Sequence, residues 1–333
     1  MERLHYEFIL EAATPIAHHS ETFGNHAVLM RRKVRQPGGE LVPVPYVTGD
    51  CIRHGIREAS MIALLDAAGL LHGAELTEAA LRLLFAGGQQ MGAQTAIKLD
   101  EYRRLVDLLP PLGLLGGCAQ NRIIPGRLEV GDALLVCAET WHLLPDWVRR
   151  HLAEVEGTDG KATVPGCREH VQEEQRVRMD PVLRPALRRL LSAGERDGAE
   201  QRLLAGEVAH EDGDAVAVER TKSTMLPRTY ETIAAGSLMY WYVSAIVHDE
   251  LERDTALVAI LSWLAQPSAG GKRGTGHGRL RVFAGAQLHL PRPSAVIEPV
   301  DVQALGGRVG TVFATHVRER SEAIGKLLRE VVA

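Results

Sequence analysis

The chain has 333 residues, 45% hydrophobic and 24% charged, enough apolar content to bury a sizeable core in one large or two small domains. No apolar run approaches the roughly 20 residues needed to cross a bilayer, and Met1-Glu2-Arg3-Leu4-His5-Tyr6-Glu7 lacks the basic-then-apolar plan of a secretory signal. The formal net charge of −4 argues against a uniformly basic nucleic-acid binder, and Cys51, Cys118, Cys137 and Cys167 are too scattered for a zinc knuckle or a disulfide framework. A soluble cytoplasmic protein is expected, without membrane partner, metal or cofactor.

Residues Leu4 to Thr14 place Tyr6, Phe8 and Leu10 at period two, predicting an opening strand. Arg31, Arg32, Lys33 and Arg35 then form a basic cluster. Thr48 is a natural N-cap and Gly69 a natural stop for a first main helix. Its register puts Ile52 and Ile56 on one face and Arg53 and Arg57 together on the next. Helical spacing recurs from Leu76 to Phe85 and from Asp100 to Leu109 around Gly87-Gly88, which reads as a helical insertion over residues 70–112.

A Leu114-Leu115-Gly116-Gly117 turn precedes Arg122 to Val136, whose second half alternates toward a strand. From about Leu143 to Thr224 the chain is polar, with a helical patch at Val182 to Leu191. It reads as an insertion projecting from the core. Acids gather there, at Glu195, Asp197, Glu200, Glu207, Glu211, Asp212, Asp214 and Glu219. Leu238 to Val247 predicts a strand, Asp254 to Leu264 a second main helix, Gly278 to Phe283 a strand, and Ser321 to Val332 a short amphipathic helix. The central order is strand, helix, strand, then strand, helix, strand, the ferredoxin-like split β-α-β plan of an α+β protein.

Between Thr255 and Ile297 there is no Asp or Glu, while Lys272, Arg273, Arg279, Arg281 and Arg292 all fall there. One basic and one acidic face are therefore expected, against the plainer reading of solvated charge runs. Within this stretch, residues 270–279 hold five glycines and three cations between a helix and a strand. Glycines let backbone N–H groups approach phosphates, and cations supply charge. A Walker loop needs Gly-Lys-Ser/Thr opening a helix after a strand, whereas Lys272 is followed by Arg273 and the loop precedes a strand. The Rossmann fingerprint fails on the same context. A nucleotide-dependent enzyme is thus the weakest reading, and a plain flexible turn remains open.

The second feature is His18-His19-Ser20-Glu21-Thr22-Phe23-Gly24-Asn25-His26. Adjacent histidines without further carboxylates or cysteines are a poor metal site, and a Ser-His nucleophile pair needs partners that the sequence does not place. General acid-base cleavage of RNA by His18 or His19 with Glu21 is one reading. Polar contact with RNA backbone or 2′-hydroxyls is the simpler one.

The opening strand, the Val44-Pro45-Tyr46-Val47-Thr48-Gly49-Asp50-Cys51-Ile52-Arg53 lead into the first helix, Leu115-Gly116-Gly117 before Leu128-Glu129-Val130-Gly131-Asp132-Ala133, and the late glycine loop together resemble the RAMP superfamily of CRISPR proteins. His19 to Asn25 and Gly271 to Gly278 look like the Cas-seven-like backbone subunit of type IV systems. The resemblance implies an RRM-like palm, fingers at 70–112, a β-rich thumb within 155–227, and a second palm half at 228–290, all in one domain. It implies a non-catalytic subunit stacking head to tail with copies of itself along crRNA, beside other CRISPR effector subunits, and presenting the guide to a target nucleic acid. In such a family the thumb displaces a base at intervals while the palm grips the backbone.

Only Glu21 and Glu40 supply carboxylates between Ala17 and Pro43, where some relatives carry a cleaving Asp, and this lowers the expectation of cleavage. A ribonuclease of the same superfamily is the alternative. The RNA-contact candidates are His18, His19, Ser20, Glu21, Thr22 and Asn25, with Gly271, Lys272, Arg273, Gly274, Thr275, Gly276, His277 and Arg279. Arg53 and Arg57 join them, either as RNA contacts or as ordinary solvent-exposed helix charges.

Overall fold

The computed structural model describes residues 1–73, 75–88, 97–119, 121–156, 164–176, 228–289, 296–302 and 310–330, with isolated positions 192, 194, 195 and 197. Val182 to Leu191, Arg292 and the acids from Glu200 to Glu219 lie outside the described residues, as does most of the expected thumb.

In chain order the elements begin with β1 (Glu2–Ala12), β2 (His19–Phe23), β3 (His26–Leu29), β4 (Arg31–Arg35), β5 (Leu41–Val47) and α1 (Gly49–Ala67). Helix α2 (Glu78–Leu81) runs into a π-helical turn at Arg82–Ala86, and α3 (Leu99–Leu108) and α4 (Pro110–Leu115) follow. Short strands β6 (Gly117–Ala119), β7 (Arg122–Ile124), β8 (Leu128–Val130) and β9 (Ala133–Leu135) precede α5 (Asp146–Glu156) and β10 (Val171–Arg176). The chain continues with β11 (Arg228–Ile233), β12 (Leu238–Val247), α6 (Glu250–Leu264), β13 (Leu280–His289), β14 (Val296–Pro299), α7 (Thr311–Glu319) and α8 (Ser321–Glu330). This is a mixed α+β protein. None of its described helices is long and apolar enough to cross a membrane.

Two compact units divide the chain. The first comprises Met1–Ser20, Leu29–Gln172 and Thr232–Ala333, the second Glu21–Val28 and Glu173–Glu231. In the first, the sheet runs β14-β13-β1-β12-β9-β5-β4, with β8 also on β12. Every pairing along it is antiparallel. Leu128 to Val130 lies opposite Val243 to Ala245, and Leu134-Leu135 opposite Met239-Tyr240, so β8 and β9 act as one strand interrupted at Gly131-Asp132.

Alternation along a strand sends successive side chains to opposite faces. Leu4, Tyr6, Phe8 and Leu10 of β1 accordingly pack with Met239 and Trp241 of β12 under Ile52 and Ile56 of α1 and Ala259, Ile260 and Trp263 of α6. Trp241 stacks on Phe8 at 5.5 Å and meets Trp263 edge-on at 5.0 Å, each pair worth about 0.5–1.5 kcal/mol beyond its buried area. Trp263 fits because Gly55 faces it on α1, where a Cβ would lie 2.7 Å from the indole nitrogen.

The opposite face, with Ile9 and Tyr240, is covered by Val148 and Leu152 of α5. The polar stretch from 143 therefore does not project at its start. Its first helix closes the sheet. A further core joins Met61, Leu64 and Leu65 of α1 to α2, α3 and α4 and to Phe313, Val317, Ile324 and Leu328 of α7 and α8. The helices of 70–112 thus share a core with the C-terminal pair. Asp254, expected at the start of α6, is buried within it and accepts the N–H groups of Gly310 at 2.8 Å and Phe313 at 2.9 Å, pinning the start of α7.

In the second unit β11 runs parallel to β3, pairing Thr229 with His26 and Tyr230 with Ala27. Buried Tyr230 donates its hydroxyl to Glu174 at 2.9 Å. Glu21–Val28 belongs to this unit although nothing in the sequence pattern groups it with 173–231.

Candidate nucleic-acid interface

The glycine-rich loop joins α6 to β13 and is fastened along both flanks inside the first unit. Gly271 N–H donates to the Ala17 carbonyl at 2.7 Å, Gly278 N–H to the Pro15 carbonyl at 2.8 Å, and Arg279 N–H to Thr14 Oγ1 at 3.0 Å. Gly270 N–H donates to Cys51 Sγ, near the start of α1, at 3.1 Å. The loop is therefore laid across the end of β1 and the head of α1. Two of its glycines are required by this fit. At Gly270 (φ +79°) a Cβ would stand 2.7 Å from the Ala17 carbonyl oxygen, and at Gly278 (φ +77°) 2.2 Å from that of Ala269. Gly274 faces open space.

Between these anchors the loop makes a 3₁₀ turn at Arg273–Thr275, closed by Thr275 N–H to the Lys272 carbonyl at 2.9 Å. Lys272 holds φ +60°, one of two left-handed non-glycine residues among the described residues and a conformation that costs free energy. Gly271, Lys272, Arg273, Gly274, Thr275, Gly276 and Arg279 are exposed. Arg273 lies 3.4 Å from Glu58, but both are well exposed and the pair is screened by water. His277 departs from its expected place on the surface. It is buried, with Nδ1 3.4 Å from Thr275 Oγ1, because the loop folds its ring inward.

His18 joins this region. Its Nε2 lies 3.3 Å from Thr48 N and 3.2 Å from Thr48 Oγ1, at the cap of α1. Burial, followed by the neighbouring His19, pushes its pKa down. Thr48 caps the helix as the sequence predicts, accepting Cys51 N–H at 3.3 Å. Asp132, whose part no sequence signal marks, accepts Gly49 N–H at 2.7 Å and Arg32 Nη1 at 3.1 Å. Arg32 also lies over the Tyr46 ring at 5.6 Å, while Lys33 and Arg35 stay exposed on β4 at the sheet edge. His19 is half-buried and Ser20 exposed. Glu21 and Thr22 are exposed on β2 and Asn25 at the turn after it, all in the second unit, beside Phe23, which is 63% exposed.

Arg53 and Arg57 depart from the reading as ordinary solvent-exposed helix charges. Arg53 donates to the carbonyls of Leu128 at 2.5 Å and Leu115 at 2.6 Å, and buried Arg57 to those of Leu115 at 3.1 Å and Gly116 at 2.9 Å. These guanidiniums tie α1 to the Leu115–Leu128 segment, and neither is a solvated surface charge. Burial, with Arg53 adjacent, pushes the Arg57 pKa down to about 10. Among the described residues no group of three or more His, Cys, Asp or Glu side chains is placed to hold a metal ion.

Fold and site together define an α+β protein whose sheet end carries a backbone-anchored, cation-bearing glycine loop. No family model matches the chain, and no curated protein does. Among solved structures it is similar to a chain of a Type IV-B CRISPR Complex, with 17% sequence identity and a TM-score of 0.51 over 89% of this chain and 95% of that one. The likeness is one of fold.

Proposed function

We propose that the chain is a guide-RNA-binding backbone subunit of a type IV CRISPR complex, a Cas-seven-like RAMP protein that lines up head to tail with its own copies along crRNA. The observation that carries this reading is the fold shared over most of the chain with a chain of a Type IV-B CRISPR Complex. The strand order β13-β1-β12-β8/β9, with α1 lying between β1 and β8 in the chain and α6 between β12 and β13, supports an RRM-like palm. The exposed Lys272, Arg273 and Arg279 support a grip on sugar-phosphate without regard to sequence. In the first unit the contact set is then the glycine loop and Ser20, with Arg53, Arg57 and His277 holding the framework; the candidates of the second unit are Glu21, Thr22 and Asn25. Head-to-tail growth requires complementary faces. Other effector subunits and a target nucleic acid are the remaining partners.

A scaffold is favoured over a ribonuclease because the His18 ring is engaged at the α1 cap, with Nε2 3.3 Å from Thr48 N and 3.2 Å from Thr48 Oγ1. The test is to purify the protein after expression, record the absorbance ratio and elution volume before and after RNase, and incubate it with labelled RNA. Co-purified RNA in large assemblies that collapse under RNase, with the labelled RNA intact, is expected. A nucleic-acid-free monomer that cuts the labelled RNA overturns the proposal.

A further inference from the structure

A small cavity of about 180 Å³ opens in the first unit, lined by Val136, Trp141, Leu152, Leu238, Gly236 and His170, with Val164 and Pro165 at its side. Its volume is below the roughly 300 Å³ at which drug-sized pockets begin, so it suits a single ring rather than a cofactor. Trp141 is half-buried and supplies an aromatic wall, while Val136 and Leu152 are buried and supply apolar ones. His170 supplies the polar contact. Its Nδ1 lies 2.9 Å from Ser237 Oγ, whereas its Nε2 is buried and has no hydrogen-bond partner among the described residues. Burial lowers the His170 pKa, so the ring is neutral near pH 7 and Nε2 offers either a lone pair or an N–H, according to which way the Ser237 hydroxyl points.

The cavity is joined through the backbone to the glycine loop. Gly236 N–H donates to the Ala12 carbonyl at 2.7 Å, and Ala12 N–H to the Ser237 carbonyl at 2.9 Å. One residue on, Ala13 N–H donates to the Arg279 carbonyl at 2.9 Å. The end of β1 therefore carries the cavity rim on its β12 side and the basic loop on its β13 side.

We propose that this cavity receives one unstacked nucleobase of the bound RNA, stacked on Trp141 and hydrogen-bonded by His170 Nε2. The proposal rests on the RNA-binding reading and adds a base contact to a surface that otherwise meets phosphates. Stacking on an aromatic side chain tolerates every base, because each has a π face, and a single His contact with a switchable role discriminates little.

The test uses the full chain, a short uridine homopolymer and its abasic counterpart, a ribose-phosphate chain without bases. Trp141 emission is isolated by subtracting the Trp141→Phe variant from the parent, which has four tryptophans. Quenching by the uridine homopolymer, absent when the abasic chain is bound, is expected. Trp141→Ala should weaken binding of the base-bearing chain by about fivefold or more while leaving the abasic chain unchanged, which also shows that the variant is folded. His170→Gln should bind better than His170→Phe. Quenching of equal size by both chains would mean that a side chain of a neighbouring copy fills the cavity and overturns the proposal. Tight RNA binding without any change in Trp141 emission overturns it too and leaves the RNA-binding reading standing. Absence of binding to either chain defeats both.

Discussion

Removing the three exposed cations of the glycine loop gives the sharpest quantitative expectation. On single-stranded nucleic acid each phosphate neutralised contributes about 0.7 to the slope of log K against log salt. Losing Lys272 and Arg279 together should therefore flatten the slope by about 1.4, and near 0.15 M salt each lost contact should weaken binding about fourfold. Glu58 stands 3.4 Å from Arg273 and competes with phosphate for it. Arg273→Gln should change the slope by less than about 0.7, and Glu58→Gln should steepen it. The assay is fluorescence anisotropy of a labelled oligonucleotide short enough to hold one subunit, titrated across a salt series, with melting curves to show that each variant is folded. A folded Lys272→Gln, Arg273→Gln, Arg279→Gln triple variant with the parental slope would remove the loop from the interface.

Arg57→Leu should lower the unfolding free energy by about 2–4 kcal/mol in urea, since two charge-assisted bonds to the Leu115 and Gly116 carbonyls are lost. Its salt slope should match the parent, and a flatter one would return Arg57 to the interface. Gly278→Ala should destabilise the protein and weaken RNA binding, because its Cβ would stand 2.2 Å from a carbonyl oxygen, whereas Gly274→Ala, in open space, should leave melting unchanged. At the sheet face Glu7 is buried. Burial alone would raise its carboxyl, but hydrogen bonds from His5, Trp147 and Tyr240 hold it below the usual carboxylate value. Its stabilising contribution is therefore present above the unfolded pKa of about 4.3 and lost as pH falls through the lower folded value. Glu7→Gln should flatten the fall in melting temperature below that pH, and an unchanged acid limb would refute the assignment.

The opening strand, the Thr48 cap and the place of the glycine loop could all be read from the sequence, because period-two alternation, capping chemistry and glycine clustering are local signals. The Arg53 and Arg57 roles could not. Their carbonyl partners lie 58 to 75 residues away, and helical register says which face an arginine occupies but not what backbone passes beneath it. The burial of His277 is hidden for the same reason, since it sits among exposed neighbours and only the fold of the loop turns its ring inward. In α5 the segment Asp146–Glu156 carries so many charges that the apolar spacing of Val148 and Leu152 is masked. The second main helix begins at Glu250, ahead of the expected Asp254, whose carboxylate serves a helix that begins 57 residues later.

The cover provided by α5 bears directly on what the proposed RNA contact is able to read. An RRM-type sheet reads bases by stacking them on exposed strand aromatics. Here Phe8 and Trp241 point into the core beneath α1 and α6, and Tyr240 is buried against Val148 and Leu152. These three aromatics are therefore closed off, and the proposed contact lies instead at the end of β1, where the loop presents lysine, arginine and a polar rim. Those groups would meet every phosphate alike, which is why the proposed grip carries no sequence preference. Binding should then scale with RNA length and be nearly indifferent to base composition. A marked preference for one homopolymer over another would require a base-reading surface beyond the Trp141 cavity, which holds only one ring.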